Sequence, residues 1–129
     1  MIVAGLVMAG IAAAIHVYIF YMESFAWTSE TVRATFDTTA EQAEATKEMA
    51  YNQGFYNLFL AIAVGVGIVV YALDRTTVGA TLVLTGTVSM AAAGTVLLLS
   101  SPDKAASALK QLVPPLLAVI VLVVGLFLR

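Results

Sequence analysis

Val78-Gly79-Ala80-Thr81-Leu82-Val83-Leu84 opens a stretch that reaches Leu99 without one charged side chain. A helix of a water-soluble bundle keeps a polar stripe for solvent, and this stretch has none. It is also long enough for a bilayer, whose hydrocarbon core takes about 20 apolar residues of helix. Three further segments meet the same requirement. The first runs from Met1 to about Trp27, with His16 and Glu23 as its only ionisable side chains besides tyrosine. The second lies between about Met49 and Leu73, on a helix that starts near Ala40, and the last covers about Leu112 to Leu128 and closes on Arg129. The expected fold is all-α: a polytopic membrane protein whose four-transmembrane-helix bundle occupies residues 1–129 as one domain, with helices at about 1–27, 40–73, 78–99 and 112–128.

Composition agrees with this reading and excludes several functions. Hydrophobic residues make up 61% and charged residues 11% of the chain, and the mean hydropathy is +0.98. Soluble domains are about 45–50% apolar and about 25% charged, so too little polar surface is present to coat a soluble globule. Six Lys/Arg against eight Asp/Glu give a formal charge of −2, which is not the footprint of a nucleic-acid binder. No cysteine is present and only one histidine, so disulfides, thiolate chemistry and paired-histidine metal motifs are out. Nucleotide-binding glycine patterns are absent, and Gly65 and Gly67 lie mid-membrane without a strand. No metal and no cofactor are expected. The first segment lacks a positive start, and its apolar run exceeds the 7–15 residues of a signal peptide, so it is read as a retained span.

Thr28–Thr46 and Ser100–Gln111 read as the two polar connections at one end of the bundle, and Asp74-Arg75-Thr76-Thr77 as a tight turn at the other. Thr38-Thr39-Ala40-Glu41 fits a capping box, which starts the second spanning helix near Ala40. Glu44 and Lys47 form a solvated i,i+3 pair. Ser101-Pro102-Asp103 marks another helix start, and Pro114-Pro115 either breaks a short interfacial helix from the fourth span or kinks one continuous helix. The two connections hold Arg33, Lys47, Lys104 and Lys110, against Arg75 and Arg129 opposite. By the positive-inside rule this places the long loops in the cytoplasm and both termini outside. Small residues at regular spacing (Gly5, Ala9 and Ala13; Ala61 with Gly65; Ala63 with Gly67; Gly79, Gly86 and Ala93) are expected to line helix contacts.

The costly residues are the polar ones inside the spans. His16 and Glu23 are seven apart on one helical face, with Trp27 a turn beyond. Glu48, Asn52, Gln53, Tyr56 and Asn57 form adjacent ridges at the start of the second span. At about 1.5 Å per residue, antiparallel packing sets Glu23 level with Glu48 and Asn52, and His16 near Gln53 to Asn57. One pocket between the first two spans could therefore collect all eight side chains. Such groups either hydrogen-bond between helices and fix their register, or mark a ligand or proton path.

These residues resemble a known family. His16-Val17-Tyr18-Ile19-Phe20-Tyr21-Met22-Glu23 with Trp27, Arg33 and Phe36, then Ala43-Glu44-Ala45-Thr46-Lys47 and Asn52-Gln53-Gly54-Phe55-Tyr56-Asn57-Leu58-Phe59-Leu60-Ala61, are similar to the domain of unknown function 1304 family. Gln111-Leu112-Val113-Pro114-Pro115-Leu116-Leu117 is a weaker match, with Pro115 where the family has a small residue. The resemblance implies a small, mostly bacterial inner-membrane protein with about four spans, and it brings no established activity with it.

Three functions compete at this stage. In the first, a pocket opening to the loop side binds or transports a small or lipid-like ligand. His16 and Glu23 would handle a proton or cationic group, and Asn52, Gln53, Tyr56 and Asn57 would supply hydrogen bonds. Aromatic faces could also receive a cation, and transport would require a homo-oligomer, because four spans are too few for an inverted-repeat transporter. The second is an intramembrane enzyme acting on a lipid-like substrate, with His16 and Glu23 as the catalytic acid/base pair. In the third, the chain is an accessory subunit of a larger membrane complex. Membrane lipid surrounds the protein in every case.

Overall fold

The computed structural model describes residues 1–129 and contains five α-helices: α1 (Ile2–Ser24), α2 (Glu30–Phe36), α3 (Ala40–Ala72), α4 (Thr76–Ser100) and α5 (Ala105–Phe127), with a 3-10 turn at Pro102–Lys104 before α5. Four of the helices (α1, α3, α4 and α5 with its 3-10 turn) are long and apolar enough to cross a membrane. They pack in a ring in chain order, α1 against α3, α3 against α4, α4 against α5, and α5 back against α1. The all-α, four-span membrane fold follows.

The side-chain distribution is the reverse of a soluble bundle. Ala9, Ala12, Ala61, Ala80, Ala91, Ala108 and Ala118 are buried, whereas Val7, Ile11, Phe59, Ile62, Val88, Val96 and Ile120 point outward. In lipid, burying a large aliphatic residue gains little, so helices associate where small residues let backbones approach. Hydroxyls on α4 need no second helix. Thr81, Thr87, Ser89, Thr95 and Ser100 each donate to the carbonyl four residues back, which satisfies them inside hydrocarbon.

Glycines set the closest approaches. A methyl group on Gly5 would lie 2.8 Å from Leu122 Cα, and one on Gly125 would lie 2.9 Å from the Ile2 nitrogen, so α1 and α5 are in backbone contact at the end away from the polar loops. At that same end a methyl on Gly79 would collide with the backbone of Tyr71, and one on Gly67 would meet Val83 at 2.8 Å. Nearer the polar loops the close contacts move to the other two seams, Gly54 against Ser24 (α1–α3) and Gly94 against Leu112 (α4–α5). Two helix pairs, α1/α3 and α4/α5, are thus clamped together at one end and clamped internally at the other.

Two of the small residues expected in contacts lie elsewhere. Gly65 has no atom near its missing side chain, and Ala93 is exposed, facing the hollow at the polar-loop end instead of a neighbouring helix; Ala13, though only partly buried, does pack against the core. The contact line of α4 follows Gly79, Val83, Gly86, Met90 and Gly94 instead. A strict seven-residue repeat drifts by about 20° per heptad on a straight helix, so after two repeats the face has rotated by about 40°.

The connections also depart from expectation. The first helix ends at Ser24 rather than about Trp27, and α2 lies within the segment read as a loop. Ser29 caps α2, accepting from the Val32 N–H, and Val32 and Phe36 are buried against Ile19 and Met22. α3 begins at Ala40, but its capping box is one residue later than expected: Gln42 N–H donates to Thr39 Oγ1, and Thr39 N–H donates to Gln42 Oε1. Thr38 instead donates to the Phe36 carbonyl. α5 starts at Ala105, not about Leu112, and runs through Pro114 and Pro115 as one helix. The two prolines have no N–H to return to the Lys110 and Gln111 carbonyls.

Gly79→Val is therefore expected to destabilise the bundle by about 1–3 kcal/mol, the usual cost of overpacking, because its neighbour is backbone and cannot rotate away. Gly65→Ala should be neutral or slightly stabilising. Thermal unfolding of both variants in one detergent checks the contrast.

Candidate ligand cavity

Where the two helix pairs are not clamped together, at the polar-loop end, a cavity of about 540 Å³ lies between them. Every element contributes to its wall: Glu23 of α1 with Trp27 in the turn after it, Phe36 of α2 with Asp37 and Thr38, Gln42, Thr46, Gln53 and Asn57 of α3, Ala93 and Leu97 of α4, Asp103 and Lys104 of the 3-10 turn, and Gln111 of α5. Two hydrogen bonds bridge the pairs across the mouth. Lys104 Nζ donates to the Phe36 carbonyl (2.9 Å) and Ser107 Oγ to the Thr35 carbonyl (2.9 Å). The α2 segment thereby ties the start of α5 to the end of α1.

Glu23 is the deepest charged group at this end and is only 7% exposed. Asn57 Nδ2 donates to its Oε2 at 2.7 Å, and no Lys or Arg side chain pairs with it: the one ion pair in the chain is Lys47–Glu44, on the surface. Trp27 is fixed by donating from Nε1 to Thr46 Oγ1 (3.0 Å), and its ring lies 5.1 Å from that of Phe36. Ser24 Oγ donates to the Tyr51 carbonyl (2.8 Å), at the level where Gly54 lets α3 approach α1. These contacts hold the α1 terminus against α3 and present Glu23 to the cavity.

A second hollow of about 470 Å³ lies between the α1 terminus and the outer side of α3, lined by Glu44, Lys47, Glu48 and Tyr51 together with Glu23 and Trp27. Glu23 and Trp27 thus stand in the partition between two hollows. Below the outer hollow an aromatic chain continues down the outside of α1 and α3, with Phe25–Tyr51, Tyr51–Phe55, Phe20–Phe55 and Phe55–Phe59 in ring contact.

The eight side chains expected in one pocket are not all brought together. Glu23, Trp27, Gln53 and Asn57 line the central cavity, and Glu48 lines the outer hollow with Glu23 and Trp27. Asn52 is exposed on α3, Tyr56 is 64% exposed toward lipid, and neither borders either hollow. The reason is angular. At 100° per residue, Gln53 and Asn57 continue the face of Gln42, Thr46 and Met49, while Glu48 and Asn52 fall about 100° or more from its centre and Tyr56 falls at its outer edge. His16 is 1% exposed and lies outside both hollows, with Nδ1 donating to the Ala12 carbonyl at 2.8 Å. It and Glu23 do not share a cavity.

Asp37, Asp103, Lys104 and Gln111 border the cavity without having been singled out from the sequence. The available signal was their position in the two polar connections at the same end of the bundle. The hidden element was α2, seven residues long, which folds Asp37 back over the mouth.

The fold is that of a multi-pass membrane protein, with a hollow at one end of its helix bundle lined by both polar and apolar side chains. Comparison with protein families matches residues 10–123 to the family described as Protein of unknown function (DUF1304), and the chain belongs to that family. Comparison with curated proteins and with solved structures returned no match.

The Glu23–Asn57 hydrogen bond is expected to couple the two residues. In a cycle of Glu23→Ala, Asn57→Ala and the double variant, the interaction energy should fall within about 0.5–3 kcal/mol. Thermal or denaturant unfolding reads it, and additive effects would mean that the contact contributes nothing.

Proposed function

We propose that this protein binds a small polar or lipid-like molecule in the loop-end cavity, as a carrier or receptor rather than as an enzyme. The observation that carries the reading is Glu23, buried at the wall of a chamber of about 540 Å³ and hydrogen-bonded to Asn57, with no cationic partner. Ionisable side chains in membrane spans mark substrate or ion pathways by default, and chambers of about 300–1,000 Å³ suit small ligands. Thr38, Thr46, Gln42, Gln53, Asn57 and Gln111 add uncharged donors and acceptors around the wall.

The acid/base enzyme reading has less to stand on. It needs two proton-transfer groups facing one substrate, and His16 is held in its own helix outside the chamber that Glu23 lines. The accessory-subunit reading draws on the large outward-facing aliphatic side chains, which lipid covers equally well.

The test is thermal unfolding of purified protein against a panel of cationic, anionic and neutral small molecules. At least one class should raise Tm saturably, since a ligand at about 100 times its Kd adds about 2.7 kcal/mol to the folded state. Ala93→Trp, which fills the chamber from α4, should abolish the shift while preserving the fold. A panel in which nothing stabilises the protein, or in which Ala93→Trp leaves the shift intact, contradicts the reading.

A further inference from the structure

We propose that the loop-end chamber is a site for a small organic cation, an amine or quaternary ammonium group seated between Glu23 and the Trp27–Phe36 ring pair. This rests on the ligand-binding reading and names its chemistry.

Charge is the first observation. The ionisable side chains bordering the chamber are Glu23, Asp37, Asp103 and Lys104, three acidic groups against one basic. Lys104 does not neutralise the deepest of them. Its Nζ is committed to the Phe36 carbonyl, and it lies within ion-pair distance of no carboxylate. On Glu23, Asn57 engages Oε2, and no donor in the protein engages Oε1. A buried carboxyl group attracts a proton or a positive group, and no basic side chain of the protein lies within ion-pair distance of Glu23.

The second observation is independent of charge. Trp27, in the turn after α1, and Phe36, at the end of α2, meet at 5.1 Å with their planes tilted by 51°, and border the chamber together with Glu23. Paired aromatic rings beside a carboxylate are the arrangement that receives ammonium groups through the ring quadrupole. The Trp27 ring is held in place by its Nε1–H bond to Thr46 and by contact with Phe36, itself buried against Ile19 and Met22. Its orientation is therefore set before any ligand arrives, which lowers the ordering cost of binding. An anion would meet three carboxylates here, and a neutral apolar molecule would leave Glu23 uncompensated.

Trp27 is the only tryptophan in the chain, so its emission reports directly on the chamber. Purified full-length protein is titrated with choline and, in parallel, with 3,3-dimethylbutan-1-ol, which has the same shape without the charge. Choline should change Trp27 emission saturably and the alcohol should not. Glu23→Gln should weaken choline binding by about tenfold or more, the loss of one charge-assisted contact. Should Glu23→Gln fail to fold, the exposed rim variant Asp37→Asn/Asp103→Asn takes its place, with a weakening of about two- to threefold expected from rim charges. Equal binding of choline and the alcohol, binding of butyrate in preference to choline, or undiminished affinity in Glu23→Gln would each overturn the cation assignment and leave the ligand-binding reading intact. If choline has no effect while the stability panel still finds a ligand, the assignment fails alone. If the panel also finds none, both fail.

Discussion

Between α3 and α4, Gly67 and Gly79 stand so close that neither could carry a methyl group, and between α1 and α5 the same holds for Gly5 against Leu122. Within lipid there is no hydrophobic gain from bringing large aliphatic faces together, so contacts of this kind, with dispersion and backbone proximity, hold the bundle. Their placement is uneven. The seams joining α1/α3 to α4/α5 are closed by Gly5, Gly67, Gly79 and Gly125 at one end, whereas Gly54 and Gly94 close the seams inside each pair toward the other end. The chamber occupies the space this leaves. Its walls are the inner faces of the two pairs, and its rim is the α2 segment tied to α5 by Lys104 and Ser107.

That arrangement accounts for where the polar residues are found. Thr81, Thr87, Ser89, Thr95 and Ser100 of α4 are satisfied by their own helix, and His16 likewise uses the Ala12 carbonyl, so none of these requires a partner helix. Glu23 is different, because its carboxylate reaches across to Asn57 on α3 and still borders both hollows. Its carboxyl group is supported by Asn57 directly, with the Ser24–Tyr51 and Trp27–Thr46 contacts beside it. Such investment in positioning is characteristic of a site that works on something other than the fold itself.

Much of this was legible in the sequence. The uncharged run Val78–Leu99 and three further apolar segments define the four spans, and the clustering of Glu23, Trp27, Gln53 and Asn57 at the loop end follows from helical rise and antiparallel packing. What the sequence left open depends on rotation and on short elements. Deciding that Asn52 and Tyr56 turn away from Gln53 and Asn57 requires knowing which α3 face meets α1, and that is set by Gly54 against Ser24 rather than by the polar pattern. The α2 helix is too short for periodicity to reveal, and it forms because Val32 and Phe36 find Ile19 and Met22. Pro114-Pro115 could have broken α5, and only the packing around buried Pro115 shows that it does not.

Separation of the two helix pairs at the loop end is the claim on which the rest turns, and thiol accessibility tests it most directly, since the chain has no cysteine of its own. Single variants Gln53→Cys, in the chamber wall, and Phe59→Cys, on the lipid-facing side of α3, are treated in unsealed membranes with a charged thiol reagent that does not partition into lipid. The account predicts rapid modification of Gln53→Cys and none of Phe59→Cys, because a thiolate forms only where water reaches the sulfur. An inert Gln53→Cys alongside a reactive Thr46→Cys at the mouth would contradict it, showing that α3 closes on its neighbours below the rim and that no chamber exists at Glu23.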